Sequence, residues 1–506
     1  MSSIAHHATT TGPRARQVRP AYAAGALSSA ILATLLLSGA PQVLAATDTA
    51  ALERRIADLQ AELEQAQRDL AAAKTEASEA NEQAAAAQAE LEEAGNPQAK
   101  KITIGPLTIG GAIRANYILG SYPDGGSGPT RGGNGGAFAL DTFRLNVDLK
   151  YENLVGKLEY RWYPDPFNPG SGKPRTYSSY SFVHTAWLGW DFDDGSQLQV
   201  GVNRVPFGPG PYGVSQSWFF DQHFYVGLAD DMDLGIKYFT NVGNWDLDFA
   251  YYYGSEWNGQ GTSFDSTRYS YDVVEWTYAV APDGTVDFSA PPNGYKERNQ
   301  FDFRAIYNFD DVAVPTELGV SLQYGQLKGR RTDDGDHWAA SIHMKNSWNN
   351  WLLATQLTRY KYNIDKDNLL NTDELIPMGA YNFGWPAATD AWIPAVSLSY
   401  LWETNRIPWL DSVRPYIEYS SIVKENSDFN DSELFVVGAA WARNGWYIYT
   451  DAAWSNGNNF VGSENKFGLP EPYTNVYTEA GGIGDWGANG NDYWNWRLNI
   501  NFGYYF

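Results

Sequence analysis

Beyond residue 100 the chain carries four histidines, His184, His223, His337 and His343, and it has no cysteine anywhere in its 506 residues. No local pattern pairs any of these histidines with an activated serine or a metal-binding cluster, so covalent and metal-assisted chemistry have no visible machinery. The charged residues are organised differently. Arg114, Arg144, Lys150, Lys157, Arg161, Lys237, Arg304, Arg414 and Arg497 all fall on the polar side of segments that alternate with period two. Asp148, Glu159, Asp246, Asp248, Asp302, Glu317 and Glu418 share that side. Opposite charges on adjoining strands pair across a sheet and stiffen it. Facing rows of opposite sign would also set up a transverse field that orients dipolar solutes and favours anions beside the arginines. The residues therefore speak for solvation and steering of solutes, with no enzyme activity, cofactor or metal expected.

The elements that must position these rows are strands. Tyr493 to Phe506 reads YWNWRLNINFGYYF, with Trp494, Trp496, Leu498, Ile500, Phe502, Tyr504 and Phe506 on one face and Asn495, Arg497, Asn499 and Asn501 on the other. Strict alternation marks a strand with two different solvents on its faces. Aromatic residues at both ends of the apolar face suit the two interfaces of a bilayer. Similar segments recur from about residue 104 to the end, giving about 16 strands in all. Tight connections such as Glu152-Asn153, Asp193-Asp194-Gly195 and Arg443-Asn444-Gly445 alternate with long Gly-, Pro-, Asn- and Asp-rich segments at about 120–137, 164–178, 206–231, 255–297, 362–391 and 456–492. Short turns on one side and long loops on the other are the rhythm of a closed transmembrane β-barrel. The connections at 308–316 and 403–412 break it, which leaves the strand count open there. Period-two parity also fails at strand ends, so the facing of Arg204 and Arg359 is unassigned.

Ahead of the barrel lie two other composition blocks. Residues 1–45 read as a signal peptide, with Arg14, Arg16 and Arg19 before an apolar core from Ala26 to Leu37 and the small-residue pattern Val43-Leu44-Ala45. Residues 46–95 carry Leu52, Ile56, Leu59, Leu63, Ala66, Leu70, Ala73 and Ala77 at alternating spacings of four and three, a heptad seam that predicts a periplasmic α-helical coiled coil. Gly95-Asn96-Pro97 stops it, and residues 96–103 are a linker to a barrel over 104–506.

Composition agrees with this layout. A mean hydropathy of -0.42 excludes a polytopic helical membrane protein, whereas barrels escape that test because half of each strand is polar. The formal charge of -23 argues against nucleic acid as a partner.

Several short pieces occur in the order found in the phosphate-selective porin superfamily. They are GAIRANY at 111–117, Phe143-Arg144, LEYRWYP at 158–164, GVNRVPFG at 201–208 and Asp233-Leu234-Gly235-Ile236. The chain resembles that superfamily over about 101–506, and its coiled coil before the barrel is similar to the layout of dicarboxylate porins. Met232 stands where the family would carry a basic residue. The resemblance implies an outer-membrane porin, a homotrimer in outer-membrane lipid, that passes small hydrophilic solutes, among them anions such as phosphate or dicarboxylates. It also implies that the third long loop, 206–231, folds inward and sets the constriction. Its polar members Gln216, Asp221, Gln222, His223, Asp230 and Asp231 are then the eyelet candidates. Arg114, Arg144, Lys150, Arg161, Lys237, Arg304, Arg414 and Arg497 are the pore-lining cations. Alternatives remain: the 20 tryptophans and 33 tyrosines could form a stacking track for carbohydrate, or the coil could serve a barrel-anchored adhesin or cell-wall tether.

Overall fold

Alternation is realised as strands wherever it is clean. The computed structural model describes residues 101–120, 136–164, 179–261, 265–276, 279–280, 286–287, 293–309, 312–368, 372–381, 383–404, 406–458, 461 and 494–506. The signal peptide and the coiled coil lie outside the described residues. The barrel strands are β1 (Leu107–Gly120), β2 (Ala137–Tyr151), β3 (Leu154–Tyr163), β4 (Tyr180–Asp191), β5 (Gln197–Arg204), β6 (Met232–Val242), β7 (Trp245–Ser255) and β8 (Asn293–Phe309). They continue as β9 (Thr316–Arg330), β10 (Gly335–Trp348), β11 (Trp351–Asn363), β12 (Asp390–Tyr400), β13 (Ser412–Lys424), β14 (Ser432–Arg443), β15 (Trp446–Asn456) and β16 (Asn495–Tyr505). Each pairs antiparallel with the next, and β16 pairs back onto β1 from Ala112↔Tyr505 to Gly120↔Arg497, closing a 16-strand antiparallel barrel. Among the described residues no further barrel strand forms in the two irregular connections; Trp402–Glu403 pairs with Ser412 and Val413 and so extends the sheet locally. Ile102–Ile104, assigned largely to the linker by sequence, folds back on Leu107–Ile109.

The two faces of β9 show why the closed form is obligatory. Leu318, Val320, Leu322 and Tyr324 point outward, with Leu322 51% exposed, while Ser321 on the opposite face is 0% exposed. A continuous belt of such side chains in water would forfeit roughly 25 cal/mol per Å² of apolar surface, so the outer face calls for hydrocarbon. The aromatic ends of this belt are legible on one strand pair. Trp446 stands opposite Tyr504, with ring centroids 5.0 Å apart, and Trp454 opposite Trp496. Eight residues separate the two rungs, about 27 Å along the strand and about 21 Å along the barrel axis at a tilt of about 40°, comparable to an apolar band about 25 Å tall. On the short-turn side, Glu152, Asn349 and Asn444 adopt φ of 52°, 51° and 49°, the left-handed geometry of tight hairpins.

The core is inside the barrel. Phe219, Phe224 and Tyr225 from the third long loop pack with Tyr269 and Tyr271 from the connection after β7, with Leu375, and with the wall residues Tyr180 and Phe182. A second cluster joins Val226 and Leu228 to Val273, Ile376, Met378 and Ile393. Leu375–Ala380 and Phe383–Ala388 pair as a hairpin within the segment that the sequence leaves as a loop. Many of the aromatic residues are thus spent filling the lumen and not on interfacial girdles.

The seam between first and last strands continues one residue past β16. The Phe506 N–H donates to the Gly111 carbonyl at 3.0 Å, and the Gly111 N–H donates to the Phe506 carbonyl at 2.8 Å. Deleting Phe506 removes both bonds from the edge that every other strand depends on. The truncated chain should show a markedly lower yield of folded barrel by heat-modifiable migration, while the barrels that do form keep wild-type single-channel conductance.

Candidate functional site

Residues 205–231 leave the wall after β5 and return at β6, and between these points they cross the lumen. The neck is fastened first. Arg204 Nη2 bonds Asp230 Oδ1 at 2.9 Å, the Val205 N–H donates to the Asp231 carbonyl at 2.9 Å, and the Asp230 N–H to the Pro211 carbonyl at 2.8 Å. Asp221 then staples the loop to itself. Its Oδ2 accepts the Val214 N–H at 2.8 Å, and its Oδ1 accepts the His223 N–H at 2.8 Å and lies 2.9 Å from His223 Nδ1. Gly213 makes room for this: it sits at φ +64°, and a Cβ there would collide with the Asp221 carboxylate.

The far side of the loop is held by inward-facing residues on strands remote in sequence. His223 Nε2 lies 2.8 Å from Thr358 Oγ1 on β11, and the Gly208 N–H donates to Ser321 Oγ on β9 at 3.0 Å. Ser215 Oγ donates to Glu418 Oε2 on β13 at 2.7 Å, and the Gln216 N–H donates to the other oxygen of the same carboxylate. The Trp218 N–H donates to Asp451 Oδ2 on β15 at 2.9 Å, and the Gln222 N–H to Ser420 Oγ at 3.0 Å. A peptide laid against a polar wall must satisfy its own N–H groups this way, because a buried unpaired donor costs about 1–3 kcal/mol.

The six loop candidates therefore divide. Asp221, Gln222, His223, Asp230 and Asp231 are buried at the neck and anchors, while Gln216 is half-buried and accepts a hydrogen bond from Arg414 Nη1 at 2.8 Å. Burial and the neighbouring carboxylates of Asp233 and Asp272 hold the Asp231 carboxyl well above the usual range.

The cations face the loop from the opposite wall. Arg144 and Arg161 are direct cross-strand partners on β2 and β3, a repulsive pairing by itself. Glu159 sits between them, 3.5 Å from Arg144 Nη1 and 2.5 Å from Arg161 Nε. Arg114 pairs with Asp141 at 3.0 Å. The register shifts at Arg114/Ala115 and at Glu159/Tyr160 fall on these residues; a bulge re-aims the side chains beside it. Arg497 lies under the loop with its guanidinium carbon 5.0 Å from the Trp218 ring centroid, and Arg161 lies 4.3 Å from that of Tyr269. The space between loop and wall is bordered by Arg114, Arg144, Arg161, Lys345, Arg414 and Arg497, against the two carboxylates Asp141 and Asp230.

Three sequence candidates lie elsewhere. Lys150 is exposed and paired with Asp191 beside a short turn. Lys237 donates to the Arg204 carbonyl at 2.8 Å. Arg304 pairs with Asp248 at 2.8 Å and reaches the Gly208 carbonyl at 3.5 Å. Arg359 is resolved as a rim residue, ion-paired with Asp390 and Glu425 beside Trp392. Asp451 and the anchoring hydroxyls of Ser321, Thr358 and Ser420 are not singled out by sequence; parity puts them inward, but nothing local says a loop lies on them.

No protein-family profile and no curated protein matches the sequence. In backbone shape the chain is similar to the outer-membrane expressed OmpT of Vibrio cholerae, at 12% identity and a TM-score of 0.44 over 80% of this chain and 100% of that one. It is similar to the outer membrane channel DcaP of Acinetobacter baumannii at 10% identity and a TM-score of 0.45, over 79% of this chain and 97% of that one. The anion-selective porin from Comamonas acidovorans gives 13% identity and a TM-score of 0.42, over 79% and 99%. At these identities no residue role passes from those proteins to this chain.

The anchors make the loop's position testable. Replacing Glu418 and Asp451 together by alanine strands five loop and wall donors, on Ser215, Gln216, Trp218, Ser397 and Tyr416, at about 1–3 kcal/mol each. The variant should unfold at lower temperature and conduct in larger, noisier steps than wild type in a planar bilayer. Wild-type conductance in the double variant would show that the loop does not limit the channel.

Proposed function

We propose that the chain is an outer-membrane channel for passive diffusion of small hydrophilic solutes and that it prefers anions. The observation that carries this reading is the excess of cations around the space left between the loop and the barrel wall: six border it against two carboxylates, with Glu159 and Glu317 paired to three of the six from behind. A channel does no covalent work; it selects by width and by the charges at its narrowest point. Arg114, Arg414 and Gln216 are the groups that meet the solute, being only partly buried. Arg144, Arg161 and Arg497 act from behind as fixed sources of positive potential. Asp221, Gln222, His223, Asp230 and Asp231 shape the loop, and Lys150, Lys237 and Arg304 support the wall. Passage through the outer membrane, with a periplasmic coiled coil helping three copies associate, completes the proposal.

A second reading follows from the rings of Tyr163, Tyr212, Tyr447, Tyr449 and Tyr505 at the same space, which could stack on sugars. Block of ion current by oligosaccharides but not by small dianions would favour it.

The test is a reversal potential across a salt gradient. One unit charge at about 4 Å in water is worth about 1 kcal/mol, a factor of about five in relative permeability. Arg114→Gln with Arg414→Gln should lower the anion-to-cation ratio by at least that factor. A cation-selective wild type, or a ratio that the double variant leaves unchanged, would end the anion reading, and a silent bilayer would end the channel reading.

A further inference from the structure

A second constellation lies where the loop returns to the wall. One carboxylate oxygen from each of Asp231, Asp233 and Asp272 lies within 4.8 Å of the others, and all three side chains are at least nine-tenths buried. They come from three places: the end of the 205–231 segment, the second residue of β6, and the connection between β7 and β8. Glu256, which accepts the Ser270 N–H at 3.0 Å, and Glu297, which accepts Ser255 Oγ at 3.0 Å, are also buried. Against these five carboxylates, Arg268 bonds Asp272 at 2.9 Å, while Lys296 and Arg330 are engaged by Glu275.

Acidity alone would carry nothing, but oxygens here are left without partners. Asp231 Oδ1, Asp233 Oδ1 and Glu256 Oε2 have none. Nor does Oε1 of Gln300, a neutral side chain 1% exposed whose Nε2 donates to the other oxygen of Asp233 and to Asp302 Oδ2, each at 3.2 Å. Burying a carboxylate costs several kcal/mol unless a counter-charge and hydrogen bonds meet it, and buried polar atoms without partners are rare. From this arrangement we infer that Asp231, Asp233 and Asp272 form a divalent-cation site, with Glu256 beside it and Gln300 hydrogen-bonded to Asp233, and that its ion is calcium.

The donor set selects the ion. It is all oxygen, without the histidine or cysteine that zinc or copper prefers. Magnesium keeps several of its waters and is usually held by one or two carboxylates, whereas calcium accepts a buried set of three or more protein oxygens in flexible geometry, which is what three aspartates from three segments offer. Asp272 belongs to a short strand paired with Met378–Gly379 of the lumen hairpin. A bound ion would therefore clamp the return of the crossing loop to β6 and to the two inner segments that pack against it. It would act as a positioning element for the constriction, independent of which solute passes.

The test uses the full-length protein in detergent, stripped with EDTA and dialysed. Terbium should give tyrosine- or tryptophan-sensitised emission that saturates at one ion per chain and is displaced by calcium at lower concentration than by magnesium. Asp231→Asn with Asp233→Asn should weaken this by more than about ten-fold. The sign of stability should also cross: the double variant is more stable than wild type in EDTA, where repulsion is relieved, and less stable in calcium. Absence of a saturable, calcium-displaceable signal in wild type would overturn the site, even if the double variant fails to fold. A variant more stable than wild type under both conditions would overturn it too, because protons would then be what holds the cluster.

Discussion

Everything in this barrel depends on the rule that no backbone N–H or C=O can be left unpaired in hydrocarbon. A sheet obeys it only by closing on itself, and here closure rests on the pairing of β16 with β1. Once the ring is closed, its two faces are solvated independently. The outer one can be uniformly apolar, and the inner one can carry arginines, aspartates and hydroxyls at a density that no helical membrane segment would tolerate. The clean alternation along β9 and β16 is the consequence of that single requirement.

A polar inner wall creates a second requirement. Side chains such as Glu418, Asp451 and Thr358 face inward whether or not anything covers them. With the loop in place, they become buried and must be satisfied by it. The hydrogen bonds therefore run mostly from loop N–H groups to wall side chains. The wall supplies fixed acceptors, and the loop, stiffened by Pro206, Pro209 and Pro211 and by the Asp221 staple, presents donors to match. Function and packing are then the same interaction seen from two sides. The bonds that keep buried polar atoms paired are the bonds that set how much lumen remains.

This accounts for what was legible in the sequence. Strand positions could be read because two solvents impose two alternating compositions, as the segment Tyr493–Phe506 and the strand β16 (Asn495–Tyr505) show. Arg497 and Arg144 were assignable to the inner face by the same parity. Asp451 was not conspicuous because its inward neighbours are Tyr447 and Tyr449, so the two faces of β15 look equally aromatic. The hairpin at 375–388 was invisible for the opposite reason. Leu375, Ile376, Met378 and Ala380 are all 0% exposed, and a segment buried on both faces has no alternation to read. Nor could parity reveal that Gln222 and His223 would be anchors. Their role depends on contacts with strands 198 and 135 residues away in sequence, which no local pattern records.

The charge distribution bears on the proposed preference for anions. A chain of net charge -23 would seem a poor host for anions, yet bulk charge acts on a permeating solute only within the screening distance, about 8 Å at physiological ionic strength. Acidic residues on distant loops are screened by salt. Guanidinium groups buried behind a loop keep water and counter-ions from reaching them, so their field falls on the lumen side with less attenuation. Glu159 shows how such charge is retained: it offsets the direct opposition of Arg144 and Arg161 with one carboxylate for two cations, and so leaves a positive remainder. A wall in which every arginine had its own acid would be as stable and would steer nothing. The local deficit of carboxylates, not the count of arginines, is what makes this face of the lumen positive.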